Sequence, residues 1–165
     1  MGRLNHEPLQ IIVVGEIGVG KSALCNFLYS GVSGQAGDEE KFRRGHGAEP
    51  CTADIQREIF SFNGQSFAIV DTPGFNKVNY DVEKTVDEFR EMLDANPITG
   101  SVIFVRNGAM PKVSLLEQKI LKVIQDTCSD NVDRIFGVCL SNISFSSSAI
   151  RKRASRNWTD DSIVD

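Results

Sequence analysis

The sequence lacks several features that would assign a partner or a compartment directly. No apolar run approaches the ~18 residues of a membrane span, so none is predicted. Residues 1–8 lack the apolar core of a signal peptide and are predicted to be a leader. The four cysteines include no C-x-x-C pair, so we expect the reduced thiols of a cytoplasmic protein. The net charge of −4 gives no general attraction to nucleic acid.

The sequence does contain a phosphate-binding loop pattern, in which Gly15 and four further residues precede Gly20-Lys21-Ser22. An apolar, β-branched run at 9–14 precedes it, and apolar residues at helical spacing follow at 23–29. This context predicts a loop whose backbone amides bind phosphate at the N-terminus of a helix. Lys21 is predicted to reach the β- and γ-phosphates and Ser22 to bind Mg²⁺. The predicted nucleotide-binding residues are Gly15, Glu16, Ile17, Gly18, Val19, Gly20, Lys21, Ser22 and Ala23.

A second motif follows a predicted hairpin. Residues 55–62 and 67–70 are strand-like, and Asn63-Gly64 between them is a strong hairpin signal. The second strand ends at Asp71-Thr72-Pro73-Gly74, where Asp71 is predicted to be a Mg²⁺ ligand that acts through water. Alone this tetrapeptide is typical of an ordinary turn. After a phosphate loop, it indicates a nucleotide-dependent switch.

The segment between these motifs has no helical or strand period. The first helix is predicted to end at Ser30-Gly31, and residues 31–50 then combine five glycines with charged residues. We expect a mobile loop able to close over the nucleotide. Arg43 or Arg44 is a candidate arginine finger, although solvated arginines are the favoured interpretation.

The rest of the chain alternates helices and strands. An amphipathic helix is expected over 81–93, a strand at 101–105, a helix capped by Ser114 and Glu117, and a strand at 135–140. The predicted fold is an α/β three-layer domain with a mostly parallel sheet and one antiparallel strand. Residues 9–145 are assigned to this domain, and 146–165 to a disordered tail. The basic cluster at 151–156 suits anionic lipid or nucleic acid, but a solvated tail is favoured.

Residues 15–22, Thr52 and 71–74, in this order, resemble the P-loop GTPases of the translation-factor class. Residues 18–26 are similar to the immunity-associated (IAN/GIMAP-type) GTPases, relatives of septins and chloroplast import receptors. The resemblance implies GTP or GDP with Mg²⁺ as cofactors, a homo-oligomer through the nucleotide face, and slow hydrolysis. It implies that Thr52 meets Mg²⁺ and the γ-phosphate, although Thr52 is otherwise simply a hydroxyl before a strand. The implied catalytic residues are Lys21, Thr52 and Gly74, and the implied metal ligands are Ser22, Thr52 and Asp71.

Two departures from that pattern leave alternatives open. Phe75 follows Asp-Thr-Pro-Gly where a water-orienting Gln stands in Ras-like enzymes. Residues 141–144 read Ser-Asn-Ile-Ser where the guanine-reading Asn/Thr-Lys-x-Asp motif is expected, and no sixth strand is recognisable. We therefore expect five of six strands and a C-terminally truncated G domain. A nucleotide-binding or interaction module without turnover is the first alternative. An ATP-using P-loop kinase is the second, although its arginine-rich segment is not found.

Overall fold

The structure is a computed structural model that describes residues 7–33, 41–43, 54–75, 81–96, 100–110, 112–128 and 136–141. Eight elements alternate along this part of the chain. In chain order they are β1 (Leu9–Gly15), α1 (Lys21–Ser33), β2 (Gln56–Phe62), β3 (Gln65–Asp71), α2 (Val82–Ala95), β4 (Ser101–Asn107), α3 (Leu115–Cys128) and β5 (Phe136–Ser141).

The five strands form one sheet in the order β2-β3-β1-β4-β5. β1 pairs in parallel with β3 and β4, β5 pairs in parallel with β4, and only β2 runs antiparallel, against β3. The predicted α/β class, with a mostly parallel sheet and one antiparallel strand, is confirmed. Val13 lies opposite Asp71 and Gly15 lies opposite Val105, so the carboxyl ends of the three central strands share one edge.

The helices cover both faces of this sheet. On one face α1 packs in a core cluster that includes Val13, Ile69 and Val105. On the other face α2 and α3 pack against Ile12 and Val14. Adjacent residues of β1 therefore pack in the cores on opposite faces of the sheet, as expected for a strand buried on both sides. This explains its unbroken apolar run.

Local sequence signals set several boundaries. Asn63 (φ 50°) and Gly64 (φ 80°) form the predicted hairpin turn, which requires positive φ at both positions. Ser114 Oγ accepts the Glu117 N–H at 3.1 Å, and Glu117 Oε2 accepts the Ser114 N–H at 2.7 Å. This reciprocal pair is the predicted capping box at the start of α3.

The structure differs from expectation in the segment after the phosphate loop. α1 continues through Gly31 to Ser33, because one glycine inside a helix costs only about 1 kcal/mol and does not by itself end it. Residues 41–43, expected to belong to a mobile loop, are held against α1, and Phe42 is fully buried. The rest of that loop, the predicted tail and residues 1–6 of the predicted leader lie outside the described residues. In the described part of the chain, the structure has no helix that is long and apolar enough to cross a membrane.

Candidate functional site

The candidate site begins where β1 ends and α1 begins. Gly18 (φ 78°) and Gly20 (φ 95°) adopt left-handed backbone conformations that other residues rarely occupy. These conformations turn the loop back towards α1, whose first residue is Lys21. The N–H groups of the first helical turn have no partners inside the helix, so this loop offers donors to an anion.

Lys21 is drawn into the loop rather than extended into solvent. Its ammonium donates to the Glu16 carbonyl at 2.9 Å, and the residue is only 7% exposed. Burial lowers the pKa of Lys21 below its ordinary value, and the negative charge of Asp71 partly opposes this change. A polyphosphate would supply the anionic partner that a buried ammonium requires.

Ser22 and Asp71 connect the phosphate loop to the carboxyl end of β3. The Ser22 hydroxyl donates to Asp71 Oδ2 at 2.6 Å, and Asp71 is fully buried. A hydroxyl beside a carboxylate is an all-oxygen donor set, which suits Mg²⁺. Within the described ranges no group of three or more His, Cys, Asp or Glu residues converges on a metal. Two protein oxygens still fit Mg²⁺, because this ion usually keeps waters and binds substrate phosphates.

Cys25 lies one helical turn after Lys21 and is fully buried. Burial, followed by the neighbouring Asp71 carboxylate, raises the pKa of its thiol. The thiol is therefore neutral at physiological pH and is a poor nucleophile. We assign it to the core beneath the phosphate loop.

The segment after Asp71 packs tightly on the phosphate loop. The Thr72 hydroxyl donates to the Val13 carbonyl at 2.9 Å, and the Ile17 N–H donates to the Phe75 carbonyl at 2.9 Å. A Cβ added to Gly74 would lie 2.8 Å from Ile17 Cα and 2.9 Å from Ile17 N. Only glycine fits here, so Gly74 is required by close packing whatever its amide does.

The side chain of Phe75 belongs to the core. It is 5% exposed and meets Phe89 of α2 edge-on and Phe104 of β4, with ring centroids 6.3 and 6.0 Å apart. An aromatic ring in this place cannot hydrogen-bond a water. The sequence showed that the Gln is missing at position 75, but it did not predict that Phe75 packs in the core. The segment around Phe75 is irregular, so no alternation of apolar and polar residues indicates which of its side chains are buried.

Sequence reasoning also missed a polar contact on α1. Asn26 Oδ1 accepts the N–H groups of Lys41 and Phe42 at 2.9 and 3.0 Å. Its Nδ2 donates to the Phe42 carbonyl at 2.8 Å. The signal available was an Asn inside an otherwise apolar helical run, since Asn favours backbone contacts over helix interiors.

A network of polar contacts joins β4 to β5 and to α3 at the same edge of the sheet. Arg106, at the end of β4, donates to Glu117 Oε1 at 3.3 Å and to the Lys112 carbonyl at 3.0 Å. The Ser141 hydroxyl donates to the Arg106 carbonyl at 3.2 Å, and the Ser141 carbonyl accepts the Gly108 N–H at 2.7 Å. Ser141 is thus used to join β5 to β4. The three residues after it, where a base-reading motif was sought, lie outside the described residues.

The structure brings most of the predicted site residues together. Lys21, Ser22, Asp71 and Gly74 meet where β1 and β3 end. Thr52 and Arg44 lie outside the described residues. Arg43 is exposed, and its backbone N–H donates to Gln56 Oε1 at 3.2 Å.

This mostly parallel sheet, with a glycine loop leading into a helix and an Asp at the neighbouring strand end, defines a P-loop nucleotide-binding domain of the GTPase type. Residues 10–138 match the family described as 50S ribosome-binding GTPase (MMR_HSR1). The match covers well over half of the chain, so the chain belongs to this family.

Individual proteins are similar in the same region. The tRNA modification GTPase MnmE of Desulforamulus reducens is 31% identical over 126 residues, which is 76% of this chain and 24% of that protein. Toc33 from Arabidopsis thaliana, in complex with Mg²⁺ and GMPPNP, superposes with a TM-score of 0.62 at 19% identity. That match covers 94% of this chain and 63% of Toc33. A dimerisation-deficient Toc33 mutant superposes with a TM-score of 0.63, also at 19% identity and with the same coverage. At these identities the structural similarity establishes the fold, and the chain spans about a quarter of MnmE.

Proposed function

We propose that this chain is a guanine-nucleotide-binding domain that binds GTP and GDP with Mg²⁺ and hydrolyses GTP slowly. The observation that carries the proposal is the Ser22–Asp71 hydrogen bond of 2.6 Å. It joins the phosphate loop to the Asp-Thr-Pro-Gly turn, the two motifs that GTPases of this class use together. The family match supports the GTPase interpretation over an ATP-using kinase.

Each residue then has a defined task. The backbone amides of residues 15–23 bind the α- and β-phosphates, and Lys21 neutralises charge on the β- and γ-phosphates. Ser22 and Asp71 hold Mg²⁺, Asp71 through water, and Thr52 completes this set. When bound there, Mg²⁺ would supply positive charge to the phosphate oxygens. The Gly74 amide, one residue before the anchored Phe75, is the proposed donor to the γ-phosphate.

Slow turnover follows from the surroundings of Phe75. Positioning of the attacking water is a large part of GTPase catalysis. Phe75 is buried against Phe89 and Phe104 and offers no hydrogen-bonding group. The chain therefore acts as a switch or scaffold that changes state slowly. A module that binds nucleotide without turnover is the second candidate, because residues 141–144 do not match the guanine-reading motif.

A homo-oligomer through the nucleotide face is part of the proposal. Toc33, which shares this fold, is known in a dimerisation-deficient form, so the wild-type protein dimerises. Here Met110 and Leu115 expose 59% and 60% of their surfaces just after the carboxyl end of β4, at the phosphate-loop edge. We also propose assignment to the immunity-associated subfamily, because residues 18–26 and the capped helix after β4 resemble it.

The test is binding of a fluorescent GTP analogue with Mg²⁺ to wild type, Lys21→Ala and Lys84→Ala. Lys84 is an exposed lysine on α2 that pairs with Glu88 at 4.0 Å, and it controls for loss of a positive charge. We expect wild type and Lys84→Ala to bind equally and Lys21→Ala to lose binding. Equal binding by all three proteins would reject the proposal. Phosphate release from the GTP-loaded wild type then separates slow turnover from none.

A further inference from the structure

Asn26 holds a segment that has no regular secondary structure. Residues 41–43 form neither helix nor strand, so their backbone groups have no ladder to join. The Asn26 amide meets the N–H groups of Lys41 and Phe42 and the Phe42 carbonyl, using both its acceptor and its donor. One side chain thereby satisfies three backbone groups.

This contact places Phe42 inside the core. Phe42 is fully buried, in the cluster that also contains Cys25 of α1 and Val19 of the phosphate loop. A phenylalanine is large, and removing one from a close-packed interior leaves a void that the surroundings fill only partly. The phosphate loop therefore shares its packing with a residue that Asn26 keeps in place.

Asn26 lies one helical turn from Ser22, which belongs to the proposed metal-binding part of the site. It lies four residues after Ser22 in α1, so the two side chains point along the same face of the helix. Ser22 bonds to Asp71 on that face, and Asn26 bonds to residues 41 and 42 one turn further on. Movement of the first turns of α1 would displace the Ser22 hydroxyl and the amides of the phosphate loop together.

We propose that Asn26 is a positioning residue for nucleotide binding, which acts by holding Phe42 in the core beneath the phosphate loop. This inference rests on the proposed function, because it concerns the affinity of the same loop for Mg²⁺ and phosphate. Asn26 itself does not touch the nucleotide. Its removal is expected to weaken binding of Mg²⁺·GDP, whose phosphates contact the loop.

The test compares Asn26→Ala, Asn26→Asp and Ser30→Ala in the full chain. Ser30 is exposed and lies one further turn along α1, so it controls for a polar deletion in the same helix. Asn26→Asp keeps the oxygen acceptor and the shape but places a second acceptor against the Phe42 carbonyl. If Asn26→Ala does not fold, Asn26→Asp still tests the proposal, because it retains part of the contact.

Two measurements are made below the unfolding temperature of every variant. The first is the Kd for Mg²⁺·GDP. Loss of three backbone hydrogen bonds and of the Phe42 packing should raise it about fivefold or more in Asn26→Ala, less in Asn26→Asp, and not in Ser30→Ala. The second is the rate of tryptic cleavage after Lys41, which should increase in the same order because Asn26 no longer holds this backbone.

The outcomes separate the two proposals. Faster cleavage after Lys41 with an unchanged Kd would overturn the positioning role and leave Asn26 as a purely structural contact. No change in either measurement would also overturn it. Failure of the wild type to bind Mg²⁺·GDP would reject the proposed function itself, and this inference with it.

Discussion

Lys21 has a setting that makes nucleotide affinity depend on pH. Burial lowers its pKa, so the free site favours the neutral amine more than an exposed lysine would. Bound phosphates favour the ammonium form and raise the pKa again. Nucleotide affinity should therefore fall as pH rises through the lowered pKa, below the ordinary value of 10.5.

The stability of the free protein should change in the opposite direction. Between the lowered pKa and 10.5, the unfolded chain binds more protons at Lys21 than the folded chain, so this residue's contribution to stability rises with pH. The affinity prediction is tested by measuring the Kd for Mg²⁺·GDP at pH values from about 7 to 10. Lys84→Ala is the control, and its Kd should depend on pH as that of wild type does. A Kd independent of pH would show that Lys21 does not bind the phosphates in its charged form.

Phe75 allows a direct test of whether restoring the missing Gln restores catalysis. The side chain at position 75 faces Phe89 and Phe104, so Phe75→Gln would bury an amide instead of placing it beside a phosphate. We expect this variant to lose stability without faster phosphate release. Phe75→Ala should lower the free energy of unfolding by about 3–5 kcal/mol.

The matched control for that experiment is Phe27→Ala, since Phe27 is 72% exposed on α1. Its effect on unfolding in denaturant should stay within about 0.5 kcal/mol. Accelerated phosphate release by Phe75→Gln would contradict the account, because it would mean that side chain 75 can leave the core and reach the water.

Among the secondary-structure elements, α3 is tied to β4 by its own N-terminal cap. Glu117 accepts from Ser114 in the capping box and also from Arg106, and both charged residues are only 6% exposed. Glu117→Ala would leave a buried guanidinium without its carboxylate, which costs about 3–5 kcal/mol. Ser114→Ala removes only the cap and should cost about 1 kcal/mol.

Urea unfolding of the two variants measures these costs. Glu83→Ala serves as the control, because Glu83 pairs with Lys119 at the surface and such pairs contribute about 0–1 kcal/mol. Equal losses from Glu117→Ala and Glu83→Ala would show that the Arg106–Glu117 pair does not hold β4 and α3 together.

The elements themselves were largely predictable. The Asn63-Gly64 turn and the Ser114–Glu117 capping box both depend on residues close together in sequence, and both were confirmed. The positions of Phe42 and Phe75 were not predictable. Each enters the core from an irregular segment, so its burial depends on distant partners such as Asn26 and Phe89 and not on any local period.

The candidate site divides in the same way. Residues 15–22 and Asp71 could be placed from motif spacing, because strand order brings the ends of β1 and β3 together. The contacts of Gly74 with Ile17 could not, since they arise where two loops meet after both strands have ended. Motif spacing therefore predicts which residues converge, whereas the packing between the two loops depends on contacts that no local pattern encodes.

For the whole molecule, the proposed nucleotide-face oligomer should depend on nucleotide. Light scattering should show a dimer with Mg²⁺ and a non-hydrolysable GTP analogue, and more monomer with GDP. Met110→Ser combined with Leu115→Ser should weaken the dimer, because both side chains are exposed beside the site. Nucleotide affinity should match that of wild type at protein concentrations too low for either protein to dimerise, since dimerisation and nucleotide binding are linked. A monomer under every nucleotide condition would contradict this part of the proposal.

The central claim is that the sheet edge holding Lys21, Ser22 and Asp71 binds guanine nucleotide with Mg²⁺. The most direct test is competition by GTP, GDP and ATP against a fluorescent GTP analogue bound to the wild-type chain. We predict that GTP and GDP displace the analogue, that ATP does so far more weakly, and that chelation of Mg²⁺ weakens GTP binding. Displacement by ATP as effective as that by GTP, or no binding of the analogue at all, would contradict the account.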